Sequence, residues 1–81
     1  MTPTLLQANK VVDSSGDLCP TPILKLSKGI KEIEIGQVLK MIATDPGSPP
    51  DMEAWARQTG NQLLESHNEG ETFIFYFKRG K

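Results

Sequence analysis

The chain has 81 residues and a formal net charge of −1, with 9 Lys and Arg against 10 Asp and Glu. That length holds a single domain, which buries roughly 60% of the surface its unfolded chain exposes. The charge balance leaves no surplus of cations for strong direct nucleic-acid binding. One Cys and one His exclude an internal disulfide and a zinc site made by one chain alone, so no metal or cofactor is expected. A reducing, cytoplasmic setting suits such cysteine usage. The N-terminus lacks a signal-peptide pattern, and no apolar run approaches the roughly 20 residues that span a bilayer.

Residues 1–9 carry little pattern and read as a loose leader, leaving residues 10–81 as one domain. A short strand is predicted at about 10–14, where Val11 and Val12 precede the turn residues Ser14, Ser15 and Gly16. From Pro20 the pattern becomes helical: Ile23, Leu26 and Ile30 share one face, while Lys25, Lys28 and Glu32 share the other. Gly29 costs about 1 kcal/mol in a helix interior, which places the helix end between 29 and 33. A second strand follows Gly36, with Leu39, Met41 and Ala43 alternating against Val38, Lys40 and Ile42. Strand, helix and strand in succession form a βαβ unit, for which a parallel arrangement is expected.

"DPGSPPD" then leads to a second helix. Ser48 suits its cap, Pro49 its first turn, and Asp51 completes a capping box. Met52, Trp55, Ala56 and Thr59 fall on one face, and Gly60 supplies a left-handed stop. Two further strands, "NQLLESH" and "TFIFYFK", are joined by "NEGE" as a hairpin. The order β-α-β-α-β-β predicts an α/β (α+β) two-layer sandwich, a four-stranded mixed sheet with both helices packed on one face. Phe73, Phe75 and Phe77 share the helix-facing parity, which leaves Ile74 and Tyr76 on an open face that is a candidate partner surface.

The only cysteine, Cys19, stands between a turn and two prolines in "DLCPTPILKL". With Cys19 at or beside the N-cap and Pro20 at the first helical position, the turn is stiff and the sulfur meets the positive end of the helix dipole. Pro20 and Pro22 remove two amides, so Thr21 N–H is the chief local donor, and Asp17 opposes an anion. A dipole contribution of roughly 0.3–1 kcal/mol lowers the thiol pKa only slightly. These residues describe a presented nucleophile with little activation. The competing reading is a small, buried, apolar cysteine, and the local pattern alone leaves both open.

"LCPTP" resembles the C-P-x-P motif of the TusA family of sulfur carrier proteins, also called SirA-like. The resemblance continues through "DP" at Asp45 and Pro46, Asp51, "AWARQTG", and Leu63 and Leu64, covering about Val11 to Lys78. It implies that Cys19 accepts a terminal sulfur as a persulfide from a cysteine desulfurase or rhodanese-like donor and relays it to a downstream acceptor protein. Pathways implied for the family are tRNA thiolation, cofactor assembly and sulfur oxidation. Pro20, Thr21 and Pro22 would then support the site, and Lys25 and Lys28, on the exposed helix face, are candidates for steering a partner. The chain departs from many relatives at Ala56, where a second cysteine is frequent, at Asn61, where histidine is common, and at Leu18, where arginine is frequent. Without a resolving thiol, a self-contained dithiol cycle is disfavoured.

Other candidates have simpler readings. His67 is a solvated histidine near a strand end, Trp55 packs in the core, Asp45 forms a turn, and "KRGK" aids solubility. The alternative to a sulfur carrier is a non-catalytic regulatory module that binds protein or RNA through the open sheet face. A thiol redox sensor is a third possibility.

Overall fold

Among the described residues, four strands and two helices follow one another as β1 (Lys10–Ser14), α1 (Thr21–Ile30), β2 (Val38–Ala43), α2 (Ser48–Thr59), β3 (Gln62–Glu69) and β4 (Thr72–Lys78) in the computed structural model. The structure describes residues 8–18 and 21–81. The strand order is β1-β2-β4-β3, with β1 and β2 parallel and both other pairs antiparallel. This is the mixed sheet and the chain order expected from the sequence. Residues 1–7 of the predicted leader lie outside the described residues. Asn9 is tied to the sheet, because its amide donates to Val38 O at 2.7 Å and its side-chain oxygen accepts Val38 N–H at 2.9 Å.

The alternation in β2 decides which side of the sheet is covered. Val12 stands opposite Met41, Met41 opposite Phe75, and Leu39 opposite Phe77, so one parity of three strands forms a continuous apolar layer. α1 lies against β1 and β2, and α2 against β3 and β4. Leu26, Ile30 and Ile33 close the core on one side, and Met52, Trp55 and Ala56 close it on the other. Trp55 packs edge-on against Phe77 at 5.2 Å between ring centroids, and its indole Nε1 donates to Ser27 Oγ at 2.9 Å. That bond joins the helices and satisfies the one polar group of a ring otherwise suited to the core.

Three local expectations are corrected. The capping box on α2 does not form: Gly47 is the N-cap, no side chain caps the helix, and Asp51 N–H donates to Gly47 O at 3.4 Å. Ser48 is thereby the first helical residue, turned inward and 2% exposed, and its hydroxyl has no hydrogen-bond partner among the described residues. The hairpin loop is shorter than "NEGE". Asn68 and Glu69 remain in β3, and the turn is Gly70–Glu71, with Gly70 at φ 64°, the sign pattern of a type II′ turn, whose twist matches the strands. The open face is also less open than its parity implied. Ile74 and Tyr76 do point away from the helices, yet they are only 8% and 6% exposed. β4 is an inner strand, and Tyr76 is flanked by Lys40, whose Nζ is 6.0 Å from the ring centroid, and by His67 at 6.3 Å.

β3 carries a register shift between Leu63 and Glu65. The bulge lets Leu63 pair with Phe77 on the core side while Glu65 pairs with Tyr76 on the other, which a regular period of two would forbid.

Candidate functional site at the first strand-to-helix turn

Because β1 and β2 are parallel, the turns that follow them emerge at the same end of the sheet. β1 ends at Ser14, a buried residue whose hydroxyl donates to Ile42 O at 3.0 Å, pinning the strand end to β2. Asp13 Oδ1 accepts Ser15 N–H at 2.9 Å and Ser15 O–H at 2.6 Å, and these two donors hold its carboxyl below the usual carboxylate range. Asp17 N–H donates to Ser14 O at 3.0 Å and closes a turn with Gly16 at φ 82°, a left-handed position that glycine takes without steric cost. Gly16 N–H in turn donates to Thr44 Oγ1 at 2.8 Å, so the residue after β2 holds the apex of the turn after β1.

Cys19 and Pro20, which sequence reasoning placed at the centre of the site, lie outside the described residues, and the frame around them is well defined. Leu18, just before them, is 70% exposed. Thr21 begins the described part of α1, and its N–H donates to Leu18 O at 2.9 Å. That bond corrects the expectation that the Thr21 amide is the local donor toward the sulfur: a neighbouring carbonyl has taken it. Pro22 is buried and anchors the first turn of α1, where its missing N–H costs no helical bond. Asp17 and Lys25 form an ion pair at 2.5 Å, so the acid expected to oppose a thiolate is countered by a lysine of α1.

Lys25 is therefore engaged locally. Lys28, exposed on the same helix, acts on Glu32, which pairs with Lys10 at 2.7 Å. The lysine ammonium holds the Glu32 carboxyl below its ordinary range. Lys25 and Lys28 line a groove of about 320 Å³ between β1 and α1 that also includes Lys10, Asp13 and Glu32. Its charges are mixed, so it is not a simple basic patch.

The remaining candidates stand apart. His67 is on β3, the opposite edge strand from β1, about 14 Å away at ordinary strand spacing, and lies 3.8 Å from Glu65. Trp55 is a core residue, as its helical spacing implied. Asp45 shapes its turn, with Oδ1 accepting Gly47 N–H at 3.1 Å and its carbonyl accepting Ser48 N–H at 2.9 Å. Thr44 is the residue that sequence reasoning missed. The available signal was its place just past β2, since a parallel βαβ unit brings that position beside the first turn. Among the described residues, no group of three His, Cys, Asp or Glu side chains is placed to hold a metal. No described helix is long and apolar enough to cross a membrane.

The family model described as sulfurtransferase TusA matches residues 10–79. A relative named sulfur carrier protein TusA from Allochromatium vinosum is 52% identical over 68 residues, covering 84% of this chain and 90% of that protein. One of the same name from Pseudomonas entomophila is 34% identical over 68 residues, covering 84% of this chain and 85% of that protein. The crystal structure of a SirA-like protein from Desulfitobacterium hafniense superposes with a TM-score of 0.76 at 22% identity, covering 89% of this chain and 99% of that one. That structure shares the two-layer fold, and the sequence matches carry the relationship further: the chain belongs to the TusA sulfurtransferase family.

Proposed function

We propose that this protein is a cytoplasmic sulfur carrier that receives sulfane sulfur on Cys19 and relays it as a persulfide to an acceptor protein. The observation that carries this reading is the single cysteine of a TusA-family chain, set in Cys-Pro-Thr-Pro between a braced turn and the start of α1. The Cys19 thiolate attacks the terminal sulfur of a donor persulfide, supplied by a cysteine desulfurase or a rhodanese-like protein. A new bond forms between Cys19 Sγ and that sulfur, the donor's S–S bond breaks, and the donor thiolate leaves with the electron pair. The transferred sulfur keeps its oxidation state and its proton, so no external oxidant or reductant is required. In the second half, an acceptor nucleophile attacks the same sulfur and Cys19 leaves as thiolate.

Pro20, Thr21 and Pro22 support presentation of the thiol. Lys25 and Lys28 favour approach of an acidic partner, Lys28 the more because Lys25 is paired with Asp17. A carrier thiol needs little activation of its own, because its partners bring their own acid and base groups. The test is incubation with a desulfurase and cysteine, followed by intact mass. A gain of one sulfur, removed by a reducing thiol and missing from Cys19→Ser, is expected. Its absence across several donors overturns the reading.

A further inference from the structure

We propose that Thr44 is a positioning residue for sulfur transfer: by accepting Gly16 N–H, its hydroxyl sets how the turn that leads into the cysteine motif leans on the sheet. The inference rests on the sulfur-carrier reading and adds to it a residue outside the cysteine motif. It starts from how the turn is held. Asp13 Oδ1 on Ser15 and the Asp17-to-Ser14 bond fix the shape of the turn from within. Neither sets how the turn leans against the rest of the fold. Two bonds to the far side of the βαβ unit do that. Ser14 Oγ holds the base to Ile42 O at 3.0 Å, and Thr44 Oγ1 holds the apex through Gly16 N–H at 2.8 Å. From the apex the chain runs through Asp17, fixed to Lys25, and Leu18, whose carbonyl is fixed by Thr21 N–H. A lean at Gly16 is thus passed on to the residues that flank Cys19.

The chemistry gives such a lean a consequence. Attack on a persulfide needs the thiolate in line with the breaking S–S bond, and the donor sulfur belongs to a bulky protein whose own surface limits its approach. A small reagent has no such limit. Gly16 is exposed, so water replaces the Thr44 oxygen when the hydroxyl is removed, and stability changes little. Position is lost while the fold persists, which separates a positioning role from a structural one.

The experiment compares the intact wild-type chain, Thr44→Val and Thr44→Ser in three measurements. These are the single-turnover rate of sulfur loading on Cys19 from a saturating desulfurase, the rate of alkylation of Cys19 by iodoacetamide, and the thermal midpoint. Thr44→Val should slow loading about tenfold while changing alkylation by less than about twofold and leaving the midpoint close to wild type. Thr44→Ser, which retains the hydroxyl, should load like wild type. The inference is overturned if Thr44→Val loads at the wild-type rate or if Thr44→Ser is as slow as Thr44→Val. A Thr44→Val chain that fails to fold, or that gains alkylation rate while its midpoint falls, also overturns it, since the role is then structural. A wild-type chain that takes no sulfur on Cys19 removes the carrier reading itself, an outcome distinct from all of these.

Discussion

Gly29 and Val12 approach so closely that no side chain fits between α1 and β1: a Cβ on Gly29 would lie 2.7 Å from Val12 Cγ2 and 3.2 Å from Leu39 Cδ1. Both neighbours are core residues, and Val12 is β-branched and stiff, so the contact is not relieved by a simple side-chain swing. Alanine favours a helix interior over glycine by about 1 kcal/mol, but overpacking costs about 1–3 kcal/mol. Gly29→Ala is therefore expected to lower stability by a net of up to about 2 kcal/mol, read as a lower urea midpoint with unchanged slope. A stabilised variant would show that the helix can lift off the sheet without cost.

Trp55 Nε1 and Ser27 Oγ are joined at 2.9 Å, and Trp55 is 6% exposed. Ser27→Ala leaves the indole N–H without its acceptor, at a cost of about 1–2 kcal/mol. Chemical denaturation followed by tryptophan emission checks this, and an unchanged midpoint would mean that solvent satisfies the ring.

At α2 the two accounts of Ser48 diverge in sign. A capping serine changed to alanine loses about 1 kcal/mol. The structure instead has Ser48 as a buried helical residue whose hydroxyl has no partner among the described residues, so Ser48→Ala removes a desolvated polar group and improves helix propensity. A gain of about 0.5–1 kcal/mol is expected in thermal unfolding. A loss of stability would restore the cap.

Asp13 makes the first turn sensitive to acid. Its folded pKa is lowered, chiefly by the Ser15 hydroxyl and then by the Ser15 amide. The carboxylate is therefore favoured by folding. Its contribution is complete above the unfolded value near pH 4 and disappears as pH falls through the lower folded value. An NMR titration of the Asp13 carboxyl should give a midpoint below the usual range. Ser15→Ala, which keeps the amide donor, should move that midpoint part of the way back.

The order of elements and the covered face of the sheet were legible because burial imprints a period on the chain. Leu39, Met41 and Ala43 recur every second residue, and Met52, Trp55 and Ala56 recur at helical spacing, so each element announces the side it buries. Other features carry no such imprint. The parity of Ile74 and Tyr76 identifies their face, but their burial depends on Lys40 and His67 from neighbouring strands. Ser48 matches a capping motif letter by letter, yet the helix begins one residue earlier and takes it inward. At the candidate site, the turn was readable in "SSGD", and the expected helix start at Cys19 and Pro20 lies outside the described residues. The Thr44 hold on Gly16 links residues 28 apart, a pairing that only the parallel packing of β1 on β2 creates.

That packing also gives the domain two poles with separate duties. Ser14 is level with Ala43 and Phe73, at the pole of the first turn, whereas Lys78 is level with Val38 at the other end of β2, about 17 Å away along the strand. Arg79 stays at that second pole, its N–H donating to Gln37 O at 2.9 Å and its guanidinium reaching Ile33 O at 2.5 Å. The chain thus leaves the sheet on the side remote from Leu18 and Thr21. Tethered to a bead or fused to another domain through Lys81, the molecule would hold Leu18 and Thr21 at the end remote from the attachment.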